Sequence, residues 1–179
     1  MSARHALTDV PTLRRQARLH IEAGAVTAGY DADRPQVLKM LNEALATEIV
    51  CMLRYRRHHF MARGIHGQSV GAEFLAHAHE EQAHADLLAA RIVQLGGEPD
   101  FSPQQLHERS HAEYVACGSL GEMIKENLIA ERIAIDSYRD MVLYLGAHDP
   151  TTRQLLEHIL AVEEEHADEL ADLLDGVPR

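Results

Sequence analysis

A chain of 179 residues with 46% hydrophobic residues is long enough to bury a core of its own and short enough for one domain. Its formal net charge of −11 argues against a general nucleic-acid footprint and suits a protein that attracts cations. Two cysteines, Cys51 and Cys117, belong to no CxxC pair and make no disulfide framework; no run approaches a membrane span, and the first residues lack the apolar segment of an export signal, so the cytoplasm is the expected compartment.

Residues 1–35 read as an N-terminal arm. Within it Thr12 to Ala23 makes either a short amphipathic helix with Arg14, Arg15 and Arg18 on one face or a frayed strand of chain, broken in both cases by Gly24, Gly29 and Pro35. Asp33 before Pro35 starts the first long helix, in which Val37, Leu38, Leu41, Leu45, Ile49, Met52 and Leu53 recur at helical spacing up to about Gly64. After the Gly64–Gly67 break, with Ser69 as a possible cap, a second helix runs to Leu95 and stops at Gly96, Gly97 and Pro99. Residues 98–118 form a longer connection that has room for a short helix. Ser119 with Glu122 is a capping box for a third long helix ending near Gly146. Asp149-Pro150 opens the fourth, which ends at Gly176. Four long helices with Ala and Leu carrying the apolar load, only 4% aromatics and no alternating Val/Ile run predict an all-α four-helix bundle over residues 36–176.

The helices repeat in pairs. Glu48 lies 33 residues before Glu81 of a Glu-x-x-His, Glu81/His84; Glu131 lies 32 residues before Glu163 of another, Glu163/His166. Tyr55 follows Glu48 by seven, and Tyr138 follows Glu131 by seven. Residues three apart share one face of a helix, so each Glu-x-x-His aims a carboxylate and an imidazole at one point. Glu48 and Glu131 both sit on apolar stripes, where a lone carboxylate is costly unless paired or metal-bound. Two hairpins of this kind, related by a pseudo-two-fold axis, supply four glutamates and two histidines, a complete ligand set for two metal ions inside a bundle. Such a set suits iron, with manganese or zinc as substitutes, and neither the cysteines of a structural zinc site nor a calcium loop is present. Glu80, Glu164 and Glu165 lie off the stripe and read as solvated. His5, His20, His58, His107, His111, His148 and His158 read as surface histidines. His77, four before Glu81, and Asn127, four before Glu131, are candidates for supporting the ligands, and Tyr55 and Tyr138 either hydrogen-bond a ligand carboxylate, pass an electron to the site or are core tyrosines.

The stretch Leu41-Asn42-Glu43-Ala44-Leu45-Ala46-Thr47-Glu48 through Tyr55, His84-Ala85-Asp86 after Glu81, and Glu163-Glu164-Glu165-His166 resemble the ferritin superfamily, specifically bacterioferritin and its Dps-like relatives; Asp149-Pro150-Thr151-Thr152-Arg153 is similar to the Dps-like branch. The resemblance covers roughly residues 36–174. It implies a ferroxidase centre made by Glu48, Glu81, His84, Glu131, Glu163 and His166, with Glu48 and Glu131 as terminal ligands, Glu81 and Glu163 bridging, and Tyr55 beside them. It implies two Fe per subunit. Gln82 stands where bacterioferritin has its haem-ligating methionine, which argues against haem. Ile133 stands where archaeal Dps-like relatives have a cysteine, which argues against a redox cysteine pair. Only 13 residues follow His166, too few for the fifth helix of 24-subunit ferritins, so a 12-subunit cage is favoured.

The expected activity is therefore non-haem oxidation of Fe(II) by peroxide or dioxygen, with Fe(III) stored in a hollow homo-oligomer. The rival classes are a small-oligomer di-metal peroxidase, manganese catalase or oxygenase, and a DNA-coating protein supported only by the arginines at 14–18.

Overall fold

The computed structural model describes residues 6–176. Among these all regular elements are helical: α1 is Val10–Gln16, α2 Arg34–Met61, α3 Gly67–Gln94, α4 Leu106–Arg109, α5 Leu120–Leu145 and α6 Pro150–Gly176, with a single 3-10 turn at Ile21–Ala23. The four long helices form the expected bundle. α2 packs along α3, and α5 along α6, as two antiparallel hairpins.

Local chemistry accounts for the helix starts. The Asp33 carboxylate accepts from the Gln36 amide at 3.3 Å, and Pro35 presets the first turn of α2. Ser119 and Glu122 satisfy each other's backbone amides in a complete capping box at α5. Asp149 accepts from the Thr152 amide at 2.9 Å at the head of α6. Ser69 does not cap α3. That helix begins two residues earlier, at Gly67, and the Ser69 hydroxyl donates back to the His66 carbonyl at 3.1 Å. At the other end of α3 the chain turns sharply through Gly96, at φ +75, and Gly97, where a Cβ would stand 2.5 Å from a Leu38 methyl.

The connection between the hairpins decides the topology. α3 ends beside the start of α2, where Asn42 donates to the Glu98 carbonyl and accepts from the Asp100 amide. α5 starts at the other end of the bundle. Residues 95–119 therefore run the length of α2. They are held by Thr47, which accepts from the His111 amide, by Arg54, which donates to the Glu113 carbonyl at 2.7 Å, and by His58 against the Val115 carbonyl at 3.1 Å. This is the single long crossover of a ferritin-like bundle. It also corrects one expectation: His58 is a buried residue, because the crossover covers it. His20, His107, His111, His148 and His158 are exposed, and His5 lies outside the described residues.

Of the two readings of Thr12–Ala23, the helix is realised only in part. α1 stops at Gln16, and His20 takes a left-handed backbone at φ 51 before the 3-10 turn. No residue of α1 is buried. The arm docks only from Val26 onward, where Val26, Tyr30 and Ala32 pack against the main core. There the Tyr30 hydroxyl donates to Asp149 at 3.0 Å, and Arg91 makes two further bonds to the same carboxylate.

The apolar core is divided. One cluster, including Leu41, Leu45, Leu88, Ile92, Leu156 and Ile159, fills one end of the bundle. A smaller one, with Phe74, Val70, Ile124 and Leu170, fills the other. Between them lies a layer of buried carboxylates and imidazoles.

Candidate metal centre

All six residues expected at the site meet in that layer. Glu48 comes from α2, Glu81 and His84 from α3, Glu131 from α5, and Glu163 and His166 from α6. None is more than 4% exposed. They form two groups, Glu48/Glu81/His84/Glu163 and Glu81/Glu131/Glu163/His166, in each of which ligand atoms lie within 4.8 Å of one another. Glu81 and Glu163 are common to both. The i, i+3 spacing in α3 and α6 produces this convergence, since each Glu and His rise from adjacent turns of one face.

The layer is short of partners. Glu48 Oε2, Glu81 Oε1, Glu131 Oε2, both oxygens of Glu163, and the Nδ1 atoms of His84 and His166 are buried without a hydrogen bond. His84 Nδ1 stands 2.9 Å from Glu163 Oε1 and 3.3 Å from Glu48 Oε2, in directions that do not make hydrogen bonds. His166 Nδ1 is 3.8–4.0 Å from Glu163, Glu81 and Glu131. Proteins rarely leave one buried polar atom unpaired. Seven turned toward a common space, from four carboxylates and two imidazoles, fit a pair of divalent cations.

The tyrosines supply the outer support. Tyr55 donates to Glu131 Oε1 and Tyr138 donates to Glu48 Oε1, each crossing from its own hairpin to the glutamate of the other. One oxygen of each lone glutamate is thereby held, and the other is left facing inward. Tyr138 is therefore bonded to the site and not simply a core tyrosine. Asn127 does not orient Glu131 as expected. Its carbonyl oxygen accepts from Arg54 Nε at 2.9 Å and lies 3.2 Å from His58 Nδ1, tying the crossover to α5. His77 touches the site through Tyr55 at 3.2 Å and stacks on His166 with ring centroids 4.1 Å apart. Glu80, expected to be free in solvent, is exposed but its carboxylate meets His166 Nε2 at 2.8 Å. Glu164 and Glu165 are exposed.

Burial and mutual repulsion push Glu81 and Glu131 well above the usual carboxylate range, and Glu163 in the same direction. Burial would raise Glu48 too, but interaction with Glu81 and His84 turns the balance downward. Burial would lower His84; the Glu163 and Glu48 carboxylates outweigh it and lift the imidazole to about 10. Without metal the site thus holds protons in place of cations. Burial also pushes the Cys51 thiol well up, which keeps this neighbour of the site in its unreactive form.

Sequence reading missed the polar strap beside the centre. Arg54 is 1% exposed, with Nη2 unpaired. Its only signal was its i, i+4 spacing with His58 on the face that carries Cys51 and Tyr55.

The Ferritin-like domain model matches residues 38–179. Bacterioferritin from Streptomyces coelicolor is 32% identical over 147 residues, covering 81% of this chain and 83% of its own. A nutrient stress-induced DNA-binding protein from a Nostoc species is 33% identical over 141 residues, covering 77% of each. Among solved structures, a dodecameric thioferritin, the bacterioferritin-related protein of Bacteroides fragilis, superposes with a TM-score of 0.78 at 32% identity, over 80% of this chain and 87% of that one. With the crossover bundle and the paired Glu-x-x-His helices already in place, these matches establish that the chain belongs to the ferritin family.

Proposed function

We propose that this protein is a ferroxidase that binds two Fe(II) per subunit at Glu48, Glu81, His84, Glu131, Glu163 and His166, oxidises them with dioxygen or peroxide, and delivers Fe(III) to a store inside a hollow homo-oligomer. The observation that carries this reading is the set of seven buried, unpaired ligand atoms, with Glu81 and Glu163 common to both halves. Glu48 and Glu131, each with one oxygen tied to a tyrosine, are suited to serve as terminal ligands. Glu163, with both oxygens free, is suited to bridge. The iron ions are the substrate and supply the electrons; the protein fixes their spacing and leaves coordination positions for the oxidant. The raised carboxyls release protons as cations enter, so affinity for Fe(II) rises with pH.

A 12-subunit cage is supported by the dodecameric relative from Bacteroides fragilis. Large exposed apolar residues such as Phe60, Ile65, Val93 and Leu143 are consistent with further burial on assembly. No helix among the described residues is long and apolar enough to cross a membrane.

The test is stopped-flow Fe(II) oxidation on size-resolved protein. Wild type should oxidise two Fe(II) per subunit in a fast phase and then load many more into a particle of hundreds of kilodaltons. Glu131→Ala should assemble normally and lose the fast phase. A small oligomer that stops at two metals per subunit would favour a di-metal enzyme acting on another substrate.

A further inference from the structure

The pseudo-two-fold repeat provides an internal control for every residue near the centre. Residues of α3 map onto α6 by adding 82, the offset that takes Glu81 to Glu163 and His84 to His166. Beside the His166 half stand Glu73, His77 and Glu169. Their counterparts beside the His84 half are Leu155, Ile159 and Leu87. The other half accepts aliphatic side chains at these positions, with Ile159 buried, Leu155 half-buried and Leu87 exposed, so two carboxylates and an imidazole are not demanded by the fold.

The three polar residues converge. His77 is 1% exposed, yet its Nε2 turns outward to Glu169 Oε2 at 2.9 Å and Glu73 Oε1 at 3.7 Å. All three ligand atoms lie within 4.8 Å of one another. Donors around one first-row cation, with bonds near 2.1 Å, stand roughly 2.9–3.5 Å apart, so small rotations of the two exposed carboxylates complete the set. The ring of His77 is clamped between the Tyr55 hydroxyl and the face of His166. Its outward nitrogen is thereby preset.

We propose that Glu73, His77 and Glu169 form a third cation site, for a divalent first-row metal ion, where α3 and α6 meet solvent beside the His166 half. One imidazole with two carboxylates selects the same borderline cations as the centre. With two of its three protein ligands about 40% exposed or more, the site is open to water and exchanges quickly. Glu80 stands between it and the centre: His77, Glu80 and His166 again bring ligand atoms within 4.8 Å. The third site therefore holds an ion one short step from the dinuclear pair, on one side of the pseudo-axis only. The count of ions rests on the two-metal reading of the centre, whereas binding at Glu73, His77 and Glu169 does not require the oxidation chemistry.

The experiment is anaerobic equilibrium dialysis of the assembled protein with Co(II), which stays divalent, together with anomalous diffraction at the cobalt edge. Wild type should bind three equivalents per chain, with one peak among Glu73, His77 and Glu169. Glu73→Ala/Glu169→Ala, at one half-buried and one exposed position, should bind two. His77→Ile, which copies the packing at Ile159, should also bind two. Glu164→Ala/Glu165→Ala removes equal charge elsewhere and should keep three. Two equivalents in wild type with no third peak, or three retained in Glu73→Ala/Glu169→Ala, would overturn the third site. Fewer than two in Glu73→Ala/Glu169→Ala would count against the dinuclear reading instead.

Discussion

The two halves of the centre carry the same ligands in different surroundings. Around His84 the neighbouring positions of α3 and α6 are Leu87, Leu155 and Ile159, and the position matching Glu80 is Val162. Around His166 they are Glu169, Glu73, His77 and Glu80: Glu169 is bonded to His77, Glu80 to His166, and the three carboxylates reach solvent. The six buried acids and imidazoles obey the repeat, as the proposed pair of cations of one chemistry would require. The surroundings are free of that demand, and there the sequence has diverged into an apolar half and a polar half. If the centre holds metal as proposed, the repeat separates the groups that binding requires from those that surround it.

The largest expected effect tests the shared part. Glu48→Ala and Glu131→Ala should each lower the fast Fe(II) oxidation rate by ~100-fold or more, since removing a direct ligand exceeds the ~10–100-fold seen for supporting residues. If one of the two oxidised iron at the wild-type rate in stopped flow, the equivalence of the halves would be broken.

Next in size are the tyrosines. Tyr55→Phe and Tyr138→Phe should each weaken divalent metal binding about tenfold, by freeing the carboxylate oxygen they hold. Calorimetric titration with Co(II) measures this. Tyr55→Phe should also lower the melting temperature more, because it leaves His77 Nδ1 buried without its partner.

The metal-free protein should show opposite signs in the two lone glutamates. Glu131 is raised by burial and by Glu163, so its contribution to stability is full below its unfolded pKa and is lost as pH rises through the folded value. Glu48 is lowered, so its contribution is present above its unfolded pKa and lost as pH falls through the folded value. At pH 7 without metal, Glu131→Gln should melt higher than wild type and Glu48→Gln lower, by a few degrees at about 2–4 °C per kcal/mol for a chain of this size. Shifts of the same sign would refute this difference. The smallest effect belongs to the acids beside the ligand. Glu165→Ala should leave the oxidation rate within about twofold, being an exposed surface change; a larger loss would mean that Glu163 is not the residue facing the metals.

Much of the bundle and the six residues that converge in its middle could be read from the chain before any coordinates. Helix starts at Asp33, Ser119 and Asp149 follow from capping groups bonded to amides three residues on, a local interaction. Glu81/His84 and Glu163/His166 follow from helical periodicity, equally local. Apart from the Ser69 cap, misplaced locally by two residues, what failed was non-local. His58 looked like one more surface histidine, and only the crossover laid along α2 buries it. Asn127 had the right spacing to support Glu131 but was claimed by Arg54 from another helix. The Thr12–Ala23 helix stopped early, since with no buried residue in α1 nothing beyond local propensity sustains it.

The sequence by itself therefore determined the helices, their pairing into a repeat, and the chemical identity of the six convergent groups, because these depend on spacing along single helices. The tertiary structure decided which partners those groups meet: Tyr55 with the glutamate of the opposite hairpin, Glu80 with His166, and Glu73 and Glu169 with His77. Such contacts join residues up to 92 positions apart. Their register is set by how four apolar faces interlock, which no single helix encodes.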